Sequence, residues 1–305
     1  MSTGGIFGII ERQEWMRPAE EALQNIIHKL FEFKGGRQTK NFLHGTWLGD
    51  PLHVILSDVP IGSWTAAVVF DALDSASQRR KYSFAADAAL TVGLIAALGT
   101  AAAGLTDFQD VDPPARRTGL LHGLLNIVSV GFFAGSLAQR SRGRRKSGRS
   151  LAVLGYAVSV AAARLGGHLV YREKIGVDHG TPERLPDEFT AVLPESGLPQ
   201  GSATRAQHEG TPILMVRDGT RIYAVGETCS HLGGPLSEGK LEGGVIQCPW
   251  HGSRFSLRDG SVVDGPAVHP LPCLEARIRD GHIEVRKTNC RVSAEASSGK
   301  TPKAA

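Results

Sequence analysis

The run CSHLGGPLSEGKLEGGVIQCPWH, residues 229–251, holds two Cys–His pairs with 16 residues between them: Cys229-Ser230-His231 and Cys248-Pro249-Trp250-His251. Glycine and proline stand around both pairs and break any helical period, so the pairs read as loops. Short β-type runs flank them: Ile213–Val216, Ile222–Val225, Val245–Gln247, Ala276–Arg279 and His282–Val285. Turn signals such as Asp218-Gly219 and Asp280-Gly281 bound these runs. The pattern predicts a small all-β domain over residues 189–286.

The two pairs offer two thiolates and two imidazoles. That set fits a [2Fe–2S] cluster, with Cys229 and Cys248 on one iron and His231 and His251 on the other. It also fits a zinc site, since two cysteines and two histidines bind zinc. The wider text, CSHLGGPLSEG…CPWHGSRFSLRDGSVVDGPA, resembles the Rieske family and specifically the Rieske-type ferredoxins, over about Phe189 to Val285. The resemblance implies the iron–sulfur reading and a one-electron carrier. Neutral imidazoles on one iron place such potentials at roughly −150 to +300 mV. Rieske proteins of quinol-oxidising complexes carry a further cysteine in each ligand loop, joined as a disulfide. Gly234 and Trp250 occupy those positions here. Of the family's two hydroxyl donors, Ser253 matches the serine and Phe255 replaces the tyrosine. A missing donor to the cluster predicts a potential in the lower part of the range.

The chain has 305 residues and only four cysteines, too few for a disulfide-rich secreted scaffold. Cys273 reads as a buried apolar residue. A bridge from it to Cys290 would need an oxidising compartment. Fewer than 20 residues follow Arg286, so the catalytic domain of a ring-hydroxylating oxygenase is not expected. A net charge of +4, from 34 basic and 30 acidic residues, gives no case for nucleic acid.

A mean hydropathy of −0.10 hides a concentrated apolar middle. Leu52–Leu73, Phe84–Leu105, Gly119–Ala138 and Leu151–Tyr171 are 20 to 22 residues long. A hydrocarbon core about 30 Å thick needs roughly 20 residues of helix. The second and third stretches lack a polar stripe, and their Ala and Gly content suits close packing of helices in lipid. The fold expected is therefore multidomain: an N-terminal all-α four-helix transmembrane bundle over 51–172, a linker over 173–188, and the β domain. Residues 1–50 form a tail with an amphipathic helix at Ala19–Phe33, and 287–305 a disordered tail. No signal peptide is visible. The stretch Gly49-Asp50-Pro51-Leu52-His53…Val59-Pro60-Ile61-Gly62 resembles a family of uncharacterised four-helix bacterial membrane proteins, with Asp50 where that family tends to have a histidine. The resemblance covers about 45–172 and implies no activity.

Loops one and three carry nine Lys/Arg, at 79–81, 140, 142, 144–146 and 149, against two in loop two. Positive-inside counting places those loops in the cytoplasm, with both termini and the β domain outside. Arg144-Arg145 reads as part of this basic loop and not as an export signal.

Ionisable residues inside a membrane are functional candidates. His53, His122 and His168 lie near one membrane face by residue count. Asp58 and Arg164 lie deeper, at equal depth, and are expected to pair. Three readings of this polar group stand: hydrogen bonding between helices, a haem b held by His122 and His168, or a quinone pocket using a histidine and Asp58. The sequence thus points to a membrane-anchored Rieske electron-transfer protein whose partners are lipid and a redox protein or quinone. The alternative is a subunit of a quinone- or haem b-linked oxidoreductase. A redox sensor would need an output domain, and none is visible.

Overall fold

The computed structural model describes residues 5–77, 81–180 and 184–288. They form two compact units: residues up to 39 with 51–175, and residues 40–50 with those from 176 onward. Arg79, Arg80, Cys290 and the expected tail from 289 onward lie outside the described residues.

Three helices precede the bundle: α1 (Ile6–Glu11), α2 (Arg17–Leu30) and α3 (Gly36–His44). Four long ones follow: α4 (Leu52–Ser77), α5 (Ser83–Phe108), α6 (Ala115–Ser141) and α7 (Arg145–Tyr171). Each has 26 or 27 residues and is long and apolar enough to cross a membrane. At 1.5 Å per residue they reach roughly 40 Å. Trp64, Ala67, Leu90, Phe133 and Ala152 form the inner core, with Trp64 stacked on Phe133 at 4.3 Å. Gly93 is required there, because a Cβ would lie 2.3 Å from the Trp64 indole nitrogen. Large apolar side chains such as Ile95, Leu98 and Ile127 point outward, as they do on helices suited to lipid.

One end of the bundle buries charge. Arg140 is bidentate to Asp71 and reaches Asp87 at 2.8 Å. Arg145 also binds Asp87, at 2.9 Å. Arg149 meets Asp71 and Asp74, each at 3.3 Å. Loop three therefore spends three of its basic residues on aspartates of α4 and α5.

α2 docks by a mixed face that leaves part of its apolar surface outside. Glu20, Gln24 and Ile27 turn inward, and Gln24 Nε2 donates to the carbonyls of Phe108, Gln109 and Val111 at 3.0–3.2 Å. The first two are carbonyls at the end of α5, where helical partners run out, and the third lies in the loop that follows. Ile26 and Leu30 stay exposed.

The second unit is all-β. Its strands are β1 (Thr190–Pro194), β2 (Ala203–His208), β3 (Thr211–Asp218), β4 (Arg221–Gly226), β5 (Lys240–Glu242), β6 (Val245–Gln247), β7 (Arg254–Ser256), β8 (Val262–Asp264), β9 (Cys273–Arg279) and β10 (His282–Thr288). One antiparallel sheet runs β1-β10-β9-β4-β3-β2 and a second runs β5-β6-β7-β8. β3 is buried on both faces: Leu214 and Val216 enter the core that holds the cysteines, Ile213 and Met215 the other. Asp280-Gly281 is a two-residue hairpin with φ of 50° and 72°, the left-handed pair that suits the strand twist. β10 runs to Thr288, two residues into the stretch expected to be a tail. Residues 40–50, grouped by sequence with the N-terminal tail, belong to this unit. Asn41 Nδ2 donates to Asp264 at 2.9 Å, and the Gly265 N–H donates to Asn41 Oδ1 at 3.0 Å.

Candidate metal centre

Cys229 and His231 lie in the loop after β4, and Cys248 and His251 between β6 and β7. The two loops are the same turn made twice. In the first, Cys229 N–H donates to Gly234 O at 2.9 Å and Gly233 N–H returns to Cys229 O at 2.9 Å. In the second, Cys248 N–H donates to Ser253 O at 2.8 Å and Gly252 N–H returns to Cys248 O at 3.2 Å. Gly233 and Gly252 stand at φ of 80° and 76°, which a side chain would strain. The repetition extends to sulfur: the amides of His231 and Leu232 bond Cys229, and those of Trp250 and His251 bond Cys248.

The loops converge. The imidazoles of His231 and His251 lie 5.0 Å apart, near perpendicular, and both rings are half-buried. The Cys229 thiol donates a hydrogen bond to Cys248, which pushes Cys229 up and Cys248 down; the amides of Trp250 and His251 lower Cys248 further, against the effect of burial. His231 is pushed down to about 3, first by burial and then by the rings of His251, His44 and His179. It is thus a neutral donor at neutral pH, and its Nδ1 is buried without a hydrogen-bond partner. Leu236, Ile246, Phe255 and Leu271 wall the two cysteines from water. A third loop closes over them: Ala267 N–H donates to Ser253 Oγ at 3.0 Å and Ser230 Oγ donates to His269 O at 2.6 Å. The donor set, the buried orphan nitrogen and the paired sulfurs all fit a cluster that takes two sulfurs and two nitrogens.

His44 and His179 were not foreseen here. His44 is almost fully buried and packs on Gly265, some 220 residues away in sequence. Cys273 is buried as expected, but it is disulfide-bonded and so not a free thiol.

The membrane histidines do not form one cluster. His53 and His122 face each other at 6.4 Å. Each gives its Nδ1 to a carbonyl of a neighbouring helix, Thr100 at 2.9 Å and Ala162 at 2.8 Å. Asn126, one turn on, approaches His122 Nε2 at 3.2 Å. His168 instead stacks on Phe7 at 3.7 Å, and among the described residues no ring contact joins it to His122. The expected Asp58–Arg164 pair is also absent among the described residues. Asp58 is exposed and Arg164 lies over the Phe7 ring at 4.8 Å. Residue counting gives depth but not direction around a helix, and both side chains sit on outward faces.

The fold and the twin loops define a two-sheet β domain that presents two Cys–His pairs, on a chain with four membrane-length helices. Residues 188–275 match the Rieske [2Fe-2S] domain, and the chain belongs to that family; residues 49–179 match the model of a predicted membrane protein family, DUF2231. The chain is 35% identical over 95 residues to ferredoxin CarAc of Metapseudomonas resinovorans, covering 31% of this chain and 89% of that one. It is 34% identical over 95 residues to the cytochrome b6-f complex iron-sulfur subunit of Chlorobaculum tepidum, covering 31% and 51%. Identity to human apoptosis-inducing factor 3 is 29% over 119 residues, which is 39% of this chain but only 20% of that protein.

Proposed function

We propose that this protein is a membrane-anchored one-electron carrier in which Cys229 and Cys248 hold one iron of a [2Fe–2S] cluster, and His231 and His251 the other. The observation that carries the reading is the duplicated turn, which brings two sulfurs and two imidazoles to one buried place. When bound, such a cluster takes up and releases one electron at a time. The four amides at 231, 232, 250 and 251 lie where they stabilise negative charge on sulfur. The apolar wall around the cysteines excludes water, and the half-exposed imidazole edges offer the short path to a partner. One relative is a ferredoxin and another a subunit of a cytochrome complex; this chain joins such a module to helices suited to lipid. Its partner is then a redox protein or a quinone that meets the imidazole edge.

His53 and His122 are read as hydrogen-bonding glue between helices and not as haem b or quinone ligands. A Cβ on Gly104 would lie 2.7 Å from the His53 ring, and one on Gly166 would lie 3.1 Å from that of His122. Such close approach of each ring to a neighbouring helix supports the hydrogen-bonding role. The loop charges support a β unit on the extracytoplasmic side, which reporter fusions to the C-terminus would test.

His231→Ala and His251→Ala should each abolish the paramagnetic resonance signal of the reduced cluster. An unaltered spectrum in either variant overturns the ligand assignment. Zinc in place of iron and labile sulfide in the purified protein would remove the redox reading altogether.

A further inference from the structure

We propose that Glu11, His168 and Glu173 form a second metal site, for a divalent first-row transition ion, separate from the β unit. The three donors lie within 4.8 Å of one another. His168 Nε2 stands 3.3 Å from a Glu173 carboxylate oxygen and 3.7 Å from one of Glu11.

His168 makes the case. The residue is 91% buried (9% exposed), and its Nε2 has no hydrogen-bond partner although two carboxylates converge on it. Phe7 stacked on the ring fixes its plane. A buried polar atom without a partner is costly, and a bound ion removes that cost. The spacing suits an ion too. Donors that each hold a metal at about 2.1 Å lie roughly 3.0–3.4 Å apart, and the two distances from His168 fall at and just beyond that range.

The chain builds the site locally and then closes it from afar. His168 O accepts from Arg172 N–H at 2.9 Å and from Glu173 N–H at 3.1 Å. This widened last turn of α7 brings Glu173 back beside the ring five residues before it. Glu11 arrives at the end of α1, where the Arg117 guanidinium donates to its backbone carbonyl. One imidazole and two carboxylates are borderline-to-hard donors that suit Zn(II), Mn(II) or Fe(II). Three protein ligands leave positions for water, as in open sites. The ion would clamp α1 to the end of α7.

The test uses the cluster-loaded full chain in lipid nanodiscs, purified without a polyhistidine tag and dialysed against chelator until only cluster iron remains. Titration with Zn(II) should give one saturable equivalent per chain. Glu11→Gln, His168→Ala and Glu173→Gln should each weaken uptake at least about tenfold, with the resonance signal of the β unit unchanged. The two glutamines keep side-chain shape, so they report even if His168→Ala disturbs the docking of α1. No saturable zinc in the wild type overturns the proposal, as does equal affinity in the glutamine variants. Zinc uptake that is lost in His231→Ala and kept in Glu173→Gln would also overturn it.

Discussion

Gly234 lies against the indole of Trp250: a Cβ at 234 would sit 3.0 Å from that ring and 2.8 Å from Cys248 Sγ. These are the positions where quinol-oxidising relatives place their paired cysteines, so the two ligand loops meet here through a ring laid on a glycine. Gly234→Ala should force the loops apart. Overpacking costs about 1–3 kcal/mol, and a ligand sulfur is among the atoms that must move. Iron and labile sulfide per chain should fall. Full occupancy with an unchanged resonance spectrum would show that the contact is slack.

Ser253 is fully buried and accepts from Ala267 N–H, leaving its own O–H to donate. Ser253→Ala should lower the reduction potential in film voltammetry, because a donor near sulfur stabilises the reduced state. Phe255 is fully buried among the same residues. Phe255→Tyr should move the potential upward, because its new hydroxyl is a donor placed among the residues that surround the sulfurs. Opposite shifts in the pair are the expected result, and a shift of both in one direction counts against the assignment.

In the membrane half, Arg140 and Asp71 are both almost fully buried. Removing one partner strands a charge, at about 3–5 kcal/mol. Arg140→Ala should therefore unfold well below the wild type in detergent. Adding Asp71→Ala should restore part of the loss, and a purely additive double variant would refute the coupling.

Glu20 is buried beside Arg117 at 3.4 Å. Burial raises its carboxyl above the usual range, against the pull of Arg117 and Arg116. A raised acid pKa means the folded chain holds its proton more tightly than the unfolded one. Stability is then gained as pH falls toward the carboxylate range and reduced above it. Glu20→Gln should be more stable than wild type at pH 8, with the gap closing toward pH 4.5. Thermal unfolding across that window gives the sign, and a gap that widens on acidification would refute it.

Four spans and a β unit were readable because each has a periodic or compositional signature many residues long. The twin loops were readable because their spacing and glycines are local. What was not readable depends on direction. Asp71, Asp74 and Asp87 look in sequence like ordinary charges near helix ends, and only their azimuth shows that they neutralise Arg140, Arg145 and Arg149. The Asp58–Arg164 expectation failed for the same reason. β5, β7 and β8 are three residues each, with charges such as Lys240, Arg254 and Asp264, too short to show alternation. Asn41 and His44 join the β unit through contacts more than 200 residues distant in sequence, and nothing near them signals it.

Each ligand turn is closed by its own backbone, with glycine at the one bend a side chain would resist. Gly233 and Gly252 thus do one and the same task, once for each arm of the site.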